Sequence, residues 1–521
     1  MKLHQFSNGV LISAAILTVS KCDTEDGHHE SSFVHTETAT PHCAYINEAE
    51  SNEDLLLYPT NDRIPREQLL AMRLASRVCL PKPCDNLKAF SGFIPVNDDK
   101  TSYLFFLLIK ATHTPWDKPL LLWLQGGPGK SSLFGQFLEN GPLGINASGT
   151  LYHRHHTLVK QFHVIYLDQP VGSGYSFDTG GRYPSTLEEA SIHIMRFLRR
   201  FLRLFPEYYG RSFYIAGESY GARSAIGVAQ KVSTRYPWEL PLRFEGVMLG
   251  VGFLFPLLEI INSTDYLYYT GLLDDHGRQS FAQQFNKIQS FVQTKDFRSA
   301  AMLLSQTVLN LRVDGRQSLF EKLTGFQHHG SIIRPRRPAE VKAYMTYANS
   351  EEFKKRIHVN PSRDLDSTRM QIAMLLAMGD FFVDQKETLL SVLNNWHALL
   401  YTAQLDAVFP AVNLERCFRE LNWRGQKMFE TARRRFWHRD GNSSLELLGY
   451  EKRVGTVMFN TVLFGGHSVS LDQSSAVSDL YSRFLTFTQT KPPRNSEEQA
   501  ETNEPPVGVN TCTEELSRIM S

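Results

Sequence analysis

The sequence lacks long hydrophobic runs. Past the N-terminus its apolar stretches are short and flanked by charge, as strands are, so no transmembrane helix is expected. It also lacks an excess of either charge: 55 Lys and Arg meet 54 Asp and Glu, a net charge of +1, which argues against a large electrostatic footprint for nucleic acid or an anionic membrane. No run of basic residues interleaved with aromatics occurs, and nucleic-acid binding is set aside. The patterns GxxxxGK(S/T), HExxH and paired CxxC are missing, leaving no sequence argument for a nucleotide, a metal or another cofactor. No internal repeat is evident. Apolar residues are abundant: the hydrophobic share is 42% with 34 Phe, ample for a large core, and one α/β domain with insertions can absorb most of the 521 residues.

Residues 1–21 read as a secretory signal peptide. Lys2 supplies a basic start, Val10 to Val19 a short apolar core, and small residues lie around Ser20. Export makes the six cysteines, Cys22, Cys43, Cys79, Cys84, Cys417 and Cys512, candidates for disulfides; three bridges in about 15 connectivities fit them, and spacing does not choose. Three sequons, Asn146, Asn262 and Asn442, suit an exported glycoprotein, secreted or delivered to a lysosome or vacuole. Residues 22–65 are polar and acidic and read as a flexible arm. Residues 491–521, rich in Pro, Glu and Asn, read as a disordered tail.

Between these ends, residues 66–490 alternate two periodicities. Short apolar runs at Tyr103–Ile109, Leu120–Trp123, Val164–Leu167, Phe213–Ala216, Gly246–Leu249, Ala398–Tyr401 and Val457–Leu463 predict buried strands. Helical-period segments at Leu187–Leu204, Ala222–Thr234 and Val412–Leu421 alternate with them, which predicts a mostly parallel sheet with helices on both faces. The stretch from about 256 to 385 is helix-like and without strand runs, as an inserted cap would be.

The chemistry centres on Phe213-Tyr-Ile-Ala-Gly-Glu-Ser219-Tyr-Gly221. A β-like run meets G-x-S-x-G and a helix follows, the context of a nucleophile elbow in an α/β-hydrolase fold. The bare pattern would occur in about one chain in six of this length, so the context carries the inference. A serine hydroxyl needs a base, and the base an orienting acid. In that fold they follow in the order Ser, Asp/Glu, His. Asp406 after the run ending at Ala403 and His467 after the run ending at Leu463 stand in that order, each where a strand stops.

Four segments resemble signatures of the serine carboxypeptidase family, peptidase family S10: Trp123-Leu-Gln-Gly-Gly-Pro-Gly-Lys-Ser-Ser132, Asp168-Gln-Pro-Val-Gly-Ser-Gly-Tyr-Ser-Phe177, the elbow, and Gly465-Gly-His-Ser-Val-Ser-Leu-Asp-Gln473. The likeness is nearest to the vitellogenic-like branch and runs from about 90 to 490. It implies removal of C-terminal amino acids from peptides through an acyl-enzyme, at acidic pH. Ser219 is then the nucleophile, His467 the base and Asp406 its orienting acid, with the backbone N–H groups of Gly127 and Tyr220 as the oxyanion hole. The resemblance also implies that Gln125, Gly126, Glu139 and Glu218 hold the substrate's terminal carboxylate. A homodimer is implied only by analogy with relatives. Departures from the family pattern are Lys130 in place of a small or Cys residue, Ala222 and Arg223 after the elbow, and Ser468 and Ser470 after the histidine; these bear on leaving-group preference and rate. The alternatives on the same fold are a non-catalytic binding protein and a serine esterase or acyltransferase. The basic run Ile333-Arg-Pro-Arg-Arg-Pro reads as a solvated loop, with a processing site as the alternative.

Overall fold

The computed structural model describes residues 52–60, 63–234, 240–309, 316–439 and 446–489. The signal-peptide reading, the 491–521 tail, Cys22, Cys43, Cys512 and Asn442 lie outside the described residues.

The described residues hold fourteen strands, in order β1 Arg77–Val78, β2 Ala89–Pro95, β3 Ser102–Ile109, β4 Leu120–Leu124, β5 Leu143–Ile145, β6 Leu151–His153, β7 His163–Leu167, β8 Phe177–Asp178, β9 Ser212–Glu218, β10 Arg243–Gly250, β11 His397–Ala403, β12 Arg435–His438, β13 Leu447–Val454 and β14 Val457–Val462. Twelve form one sheet in the order β1-β2-β3-β7-β4-β9-β10-β11-β14-β13-β12, with β8 on β3; β5 and β6 make a separate hairpin. The six central strands from β7 to β14 are parallel, and the flanking pairs are antiparallel. The architecture is the α/β-hydrolase fold, a mostly parallel mixed sheet between helical layers.

Why these residues make this sheet follows from the pleat. Successive side chains of a strand point to opposite faces, so a strand covered on both faces must be apolar throughout. Leu122, Ile215 and Val247 enter one core with Ile194, Phe197 and Phe201 of the helix Leu187–Leu204. Their neighbours Leu121, Tyr214 and Met248 enter the other with Leu480 and Phe484 of the helix Ser474–Gln489. The Leu187–Leu204 helix begins with a capping box between Thr186 and Glu189, which satisfies backbone N–H groups of its first turn. Between Gly250 and His397 the described residues hold helices and no strand.

Two readings of the sequence need correction. Residues 52–60, assigned to the flexible arm, dock on the sheet. Leu56 bridges Phe93 of β2, Leu57 is buried, and Asp54 pairs with Arg363, because three consecutive leucines find an open strand edge. Three disulfides do not form either: Cys79 is disulfide-bonded, but Cys84 and Cys417 are free buried thiols that act as small apolar core residues.

Candidate active site

Parallel neighbours put their carboxyl ends on one edge of a sheet. Strands β9, β11 and β14 all end on that edge. Ser219 follows β9 directly, Asp406 lies three residues past β11, and His467 five residues past β14.

Ser219 sits at φ +57°, a conformation that costs strain in a non-glycine residue and marks the elbow. Its amide donates to the Gly250 carbonyl at 2.9 Å and its carbonyl accepts from Phe253 at 3.0 Å, so β10 and the loop after it hold the turn. The flanking glycines are needed by close approach: a Cβ on Gly217 would run into the Gly221 backbone, and one on Gly221 into the Leu124 carbonyl. The helix Tyr220–Thr234 starts at once, aiming its N-terminal amides at the serine.

His467 Nε2 lies 2.9 Å from Ser219 Oγ and Nδ1 lies 2.8 Å from Asp406 Oδ2. The arrangement assigns the proton on Nδ1 to the Asp406 bond, leaving Nε2 to accept from the serine hydroxyl. Asp406 is fully buried, and its Oδ1 accepts from the amides of Val408 at 2.7 Å and Phe409 at 3.1 Å. Phe409 stands edge-on to the imidazole at 5.4 Å, and the His467 amide donates to the Gly330 carbonyl at 2.7 Å. The three residues predicted from separate strand ends are thus brought into one hydrogen-bonded chain.

The 125–132 turn leans on this elbow. An added Cβ on Gly126 would lie 2.6 Å from the Glu218 carbonyl oxygen and 3.0 Å from the Tyr220 amide nitrogen, so only glycine permits the approach. Asp168 holds the turn from below, accepting from Ser131 Oγ at 2.7 Å, the Ser132 amide at 2.8 Å and the Tyr175 amide at 2.9 Å. That explains why two sequence motifs some forty residues apart belong to one site. Burial pushes the Asp168 carboxyl up to about 7.

Glu139 and Glu218 are both buried and face the same cavity of about 580 Å³ as Ser219 and His467. Neither Glu139 oxygen has a hydrogen-bond partner among the described residues; the Glu218 carboxyl and the Gln125 amide are its polar neighbours. Gln125 Oε1 instead accepts from Trp123 Nε1 at 3.0 Å. Burial raises the carboxyls of both glutamates, and in Glu218 the adjacent Glu139 adds to the effect. Tyr401 was not singled out from sequence, yet its hydroxyl donates to Glu218 Oε1 at 2.8 Å. Glu218, Gly250 and Tyr401 are in register across β9, β10 and β11, and the side-chain-less Gly250 lets the tyrosine reach over.

The departures have definite surroundings. Ala222 packs in the core, while Arg223 is fully buried and paired with Asp380 at 2.7 Å. The same Asp380 Oδ2 accepts from the Tyr220 hydroxyl at 2.8 Å. Ser468 and Lys130 line the cavity, and Ser470 Oγ is buried without a partner among the described residues. The basic run is not simply solvated: Arg334 pairs with Asp472 at 2.5 Å, and Arg334 and Arg337 both line the cavity. Of the sequons, Asn146 and Asn262 are exposed, in keeping with attachment sites.

A strained serine hydroxyl, imidazole and buried carboxylate converging on the carboxyl edge of a mostly parallel sheet define a serine hydrolase of α/β-hydrolase architecture. Comparison with known proteins narrows the class. The family model described as serine carboxypeptidase matches residues 81–487, and the chain belongs to that family; it is a serine-type carboxypeptidase. It is 30% identical to the "Probable serine carboxypeptidase CPVL" of Homo sapiens over 78% of this chain and 84% of that protein. It is 31% identical to the vitellogenic carboxypeptidase of Aedes aegypti over 84% of this chain and 90% of that protein. Among solved structures, the Kex1 prohormone-processing carboxypeptidase of Saccharomyces cerevisiae superposes with a TM-score of 0.65 at 18% identity, covering 80% of this chain and 96% of that one, a likeness of fold.

Proposed function

We infer that Ser219, His467 and Asp406 remove single amino acids from the C-termini of peptides through an acyl-enzyme. The observation that carries this is one cavity holding both the Ser219–His467–Asp406 chain and the buried Glu139–Glu218–Gln125 group. Ser219 Oγ attacks the last peptide carbonyl and gives its proton to His467 Nε2. His467 then passes that proton to the leaving amine as the C–N bond breaks, and Asp406 stabilises the imidazolium formed in between. A water molecule, deprotonated by His467, cleaves the ester and restores the serine. The amides of Gly127 and Tyr220 receive the oxyanion; the packing of Gly126 against the Tyr220 amide supports this reading.

An exopeptidase must also recognise a free carboxylate. Two neighbouring buried carboxyls cannot both ionise cheaply, so the Glu139–Glu218 pair keeps a proton and donates it, with the Gln125 amide, to the terminal carboxylate. The pair loses that proton as pH rises through its raised value, which places the working range on the acid side. An esterase has no use for this clamp. The chain acts in the secretory pathway, outside the cell or in an acidic compartment, on peptide substrates and without a cofactor; none of the described helices is long and apolar enough to cross a membrane. A homodimer is proposed by analogy with relatives alone.

The test is incubation of the purified protein with N-blocked dipeptides between about pH 4 and 7 beside Ser219→Ala. Free C-terminal amino acid should appear, more on the acid side, and vanish in the variant. Equal release by both proteins removes the proposed nucleophile. Cleavage of C-terminally amidated substrates at full rate removes the carboxylate clamp.

A further inference from the structure

We propose that a cationic wall of the cavity, built by Lys130, Arg337 and Arg369, selects peptides whose departing C-terminal residue is acidic, aspartate or glutamate, by binding its side-chain carboxylate. The proposal rests on the carboxypeptidase reading above and adds the substrate class.

The three cations come from three separate elements. Lys130 ends the 126–129 turn, Arg337 lies in the loop that follows Gly330, and Arg369 opens the helix Arg369–Gly379; all line the cavity that holds Ser219. The turn that carries Lys130 lies against Arg369, because Gly129 packs directly on the Arg369 backbone and Cγ, at 3.0 to 3.1 Å from an added Cβ, and Arg337 is near enough to act electrostatically on Lys130. None of the three has a carboxylate within ion-pair distance among the described residues, whereas Arg334 of the same loop is paired with Asp472 at 2.5 Å. Lys130 Nζ instead lies over the Phe134 ring, 3.3 Å from its centre.

The charges facing this wall offset it only in part. Asp366 acts on Arg369 and Lys130 but is one carboxyl against three cations, and it is also engaged by the amides of Ser131 at 2.9 Å and Gly174 at 3.2 Å. Glu139 and Glu218 are driven toward their neutral forms, chiefly by burial. The cations meanwhile repel one another. Lys130 is pushed down to about 7, first by burial and then by Arg369, with Arg337 acting the same way and Glu139 and Asp366 opposing. Arg337 is lowered by burial and by Arg369. A site left with surplus positive charge is relieved by bound anions. The terminal carboxylate supplies one negative charge, and an acidic side chain supplies the next.

Position in the cavity assigns the wall to the departing residue. Lys130 is the charge that acts most strongly on Glu139 of the clamp. Another side of the lining is apolar, with Phe253, Phe381 and Phe409 gathered around Tyr220 and His467. That side suits an apolar penultimate residue in the acyl group.

The experiment compares N-blocked dipeptides with Phe in the penultimate position and Glu, Leu or Lys at the C-terminus, using the full-length protein at about pH 5.5. The expected order of kcat/KM is Glu, then Leu, then Lys, with Glu over Lys by about tenfold or more. Arg337→Glu, a change in the lining of the cavity, should bring the Lys-ended substrate level with or above the Glu-ended one. The Glu-to-Leu ratio should fall as pH rises through about 7 and Lys130 loses its proton. Calorimetric titration of Ser219→Ala with the same three dipeptides reads selection without turnover and should give the same order. Turnover of all three with no preference for Glu, unchanged in Arg337→Glu, overturns the acidic selection and leaves the carboxypeptidase reading standing. Preferential binding of the Glu-ended dipeptide by Ser219→Ala, with no turnover of any substrate by the unaltered protein, supports the wall and overturns the peptidase chemistry instead.

Discussion

At the scale of single residues, the site depends on placing ionisable groups where water cannot stabilise their charge. Glu218 is the clearest case: burial and Glu139 raise its carboxyl, while Tyr401 donates to it at 2.8 Å and opposes the shift. A carboxyl raised in the folded state contributes stability that is fully present below its unfolded value of 4.5 and lost as pH rises through the folded one. Glu218→Gln mimics the protonated acid at every pH. Thermal scans should therefore show the variant gaining on the unaltered protein at about pH 7.5 and matching it near pH 4. Its KM for a dipeptide should also depend less on pH, because an amide N–H remains able to donate. A constant offset between the two proteins at both pH values would count against a shared proton.

At the scale of elements, the elbow and the cap are joined by one buried ion pair. Asp380 follows the helix Arg369–Gly379, and its carboxylate holds both Arg223 and the Tyr220 hydroxyl. Removing one partner of a buried pair strands the other charge. Asp380→Asn should cost about 3–5 kcal/mol of stability by denaturant titration. Replacing the pair with apolar residues, Arg223→Met with Asp380→Leu, should restore most of that stability and still lower kcat, since Tyr220, the proposed oxyanion donor, has lost its anchor. Full recovery of kcat in the double variant would make the pair purely structural. The helix Leu187–Leu204 shows how such elements arise: its apolar period puts Phe197 and Phe201 against Phe106 of β3, and its capping box fixes where it begins.

At the scale of the whole molecule, buried titratable groups pull stability in opposite directions with pH. Burial raises the carboxyls of Asp168, Glu139, Glu218, Asp366 and Asp472, whose stabilising contribution is lost as pH climbs above their ordinary values. Burial lowers His163, His328 and His358 to about 4, so each favours the folded state above its ordinary value of 6.5 and loses that contribution as pH falls toward 4. The two sets overlap between about pH 4 and 7 and flatten the profile there. His358 stands at φ +62°, a conformation asparagine accepts, so His358→Asn removes one acid-side loss with little backbone strain. The difference in Tm between pH 6.5 and pH 4.5 should shift in favour of acid; an unchanged difference would argue against the histidine contribution.

The chain by itself determined seven of the strands, the parallel centre of the sheet that six of them form, the elbow at Ser219 and the order of Asp406 and His467. These follow from local rules, periodicity within strands and helices and turn chemistry at their ends, that need no knowledge of distant neighbours. Only the tertiary structure decided what sits beside what. Register across β9, β10 and β11 delivers Tyr401 to Glu218 over a glycine, and the loop after Gly330 turns a basic run into a cavity wall. Residues 52–60 read as polar with the rest of their segment but dock through three leucines, and Cys84 and Cys417 stay buried without a disulfide. Electrostatic coupling and burial depend on separation in space, which sequence spacing does not encode; that is why the charges of Lys130, Arg337 and Arg369, visible singly in the chain, acquire a joint meaning only when the fold gathers them.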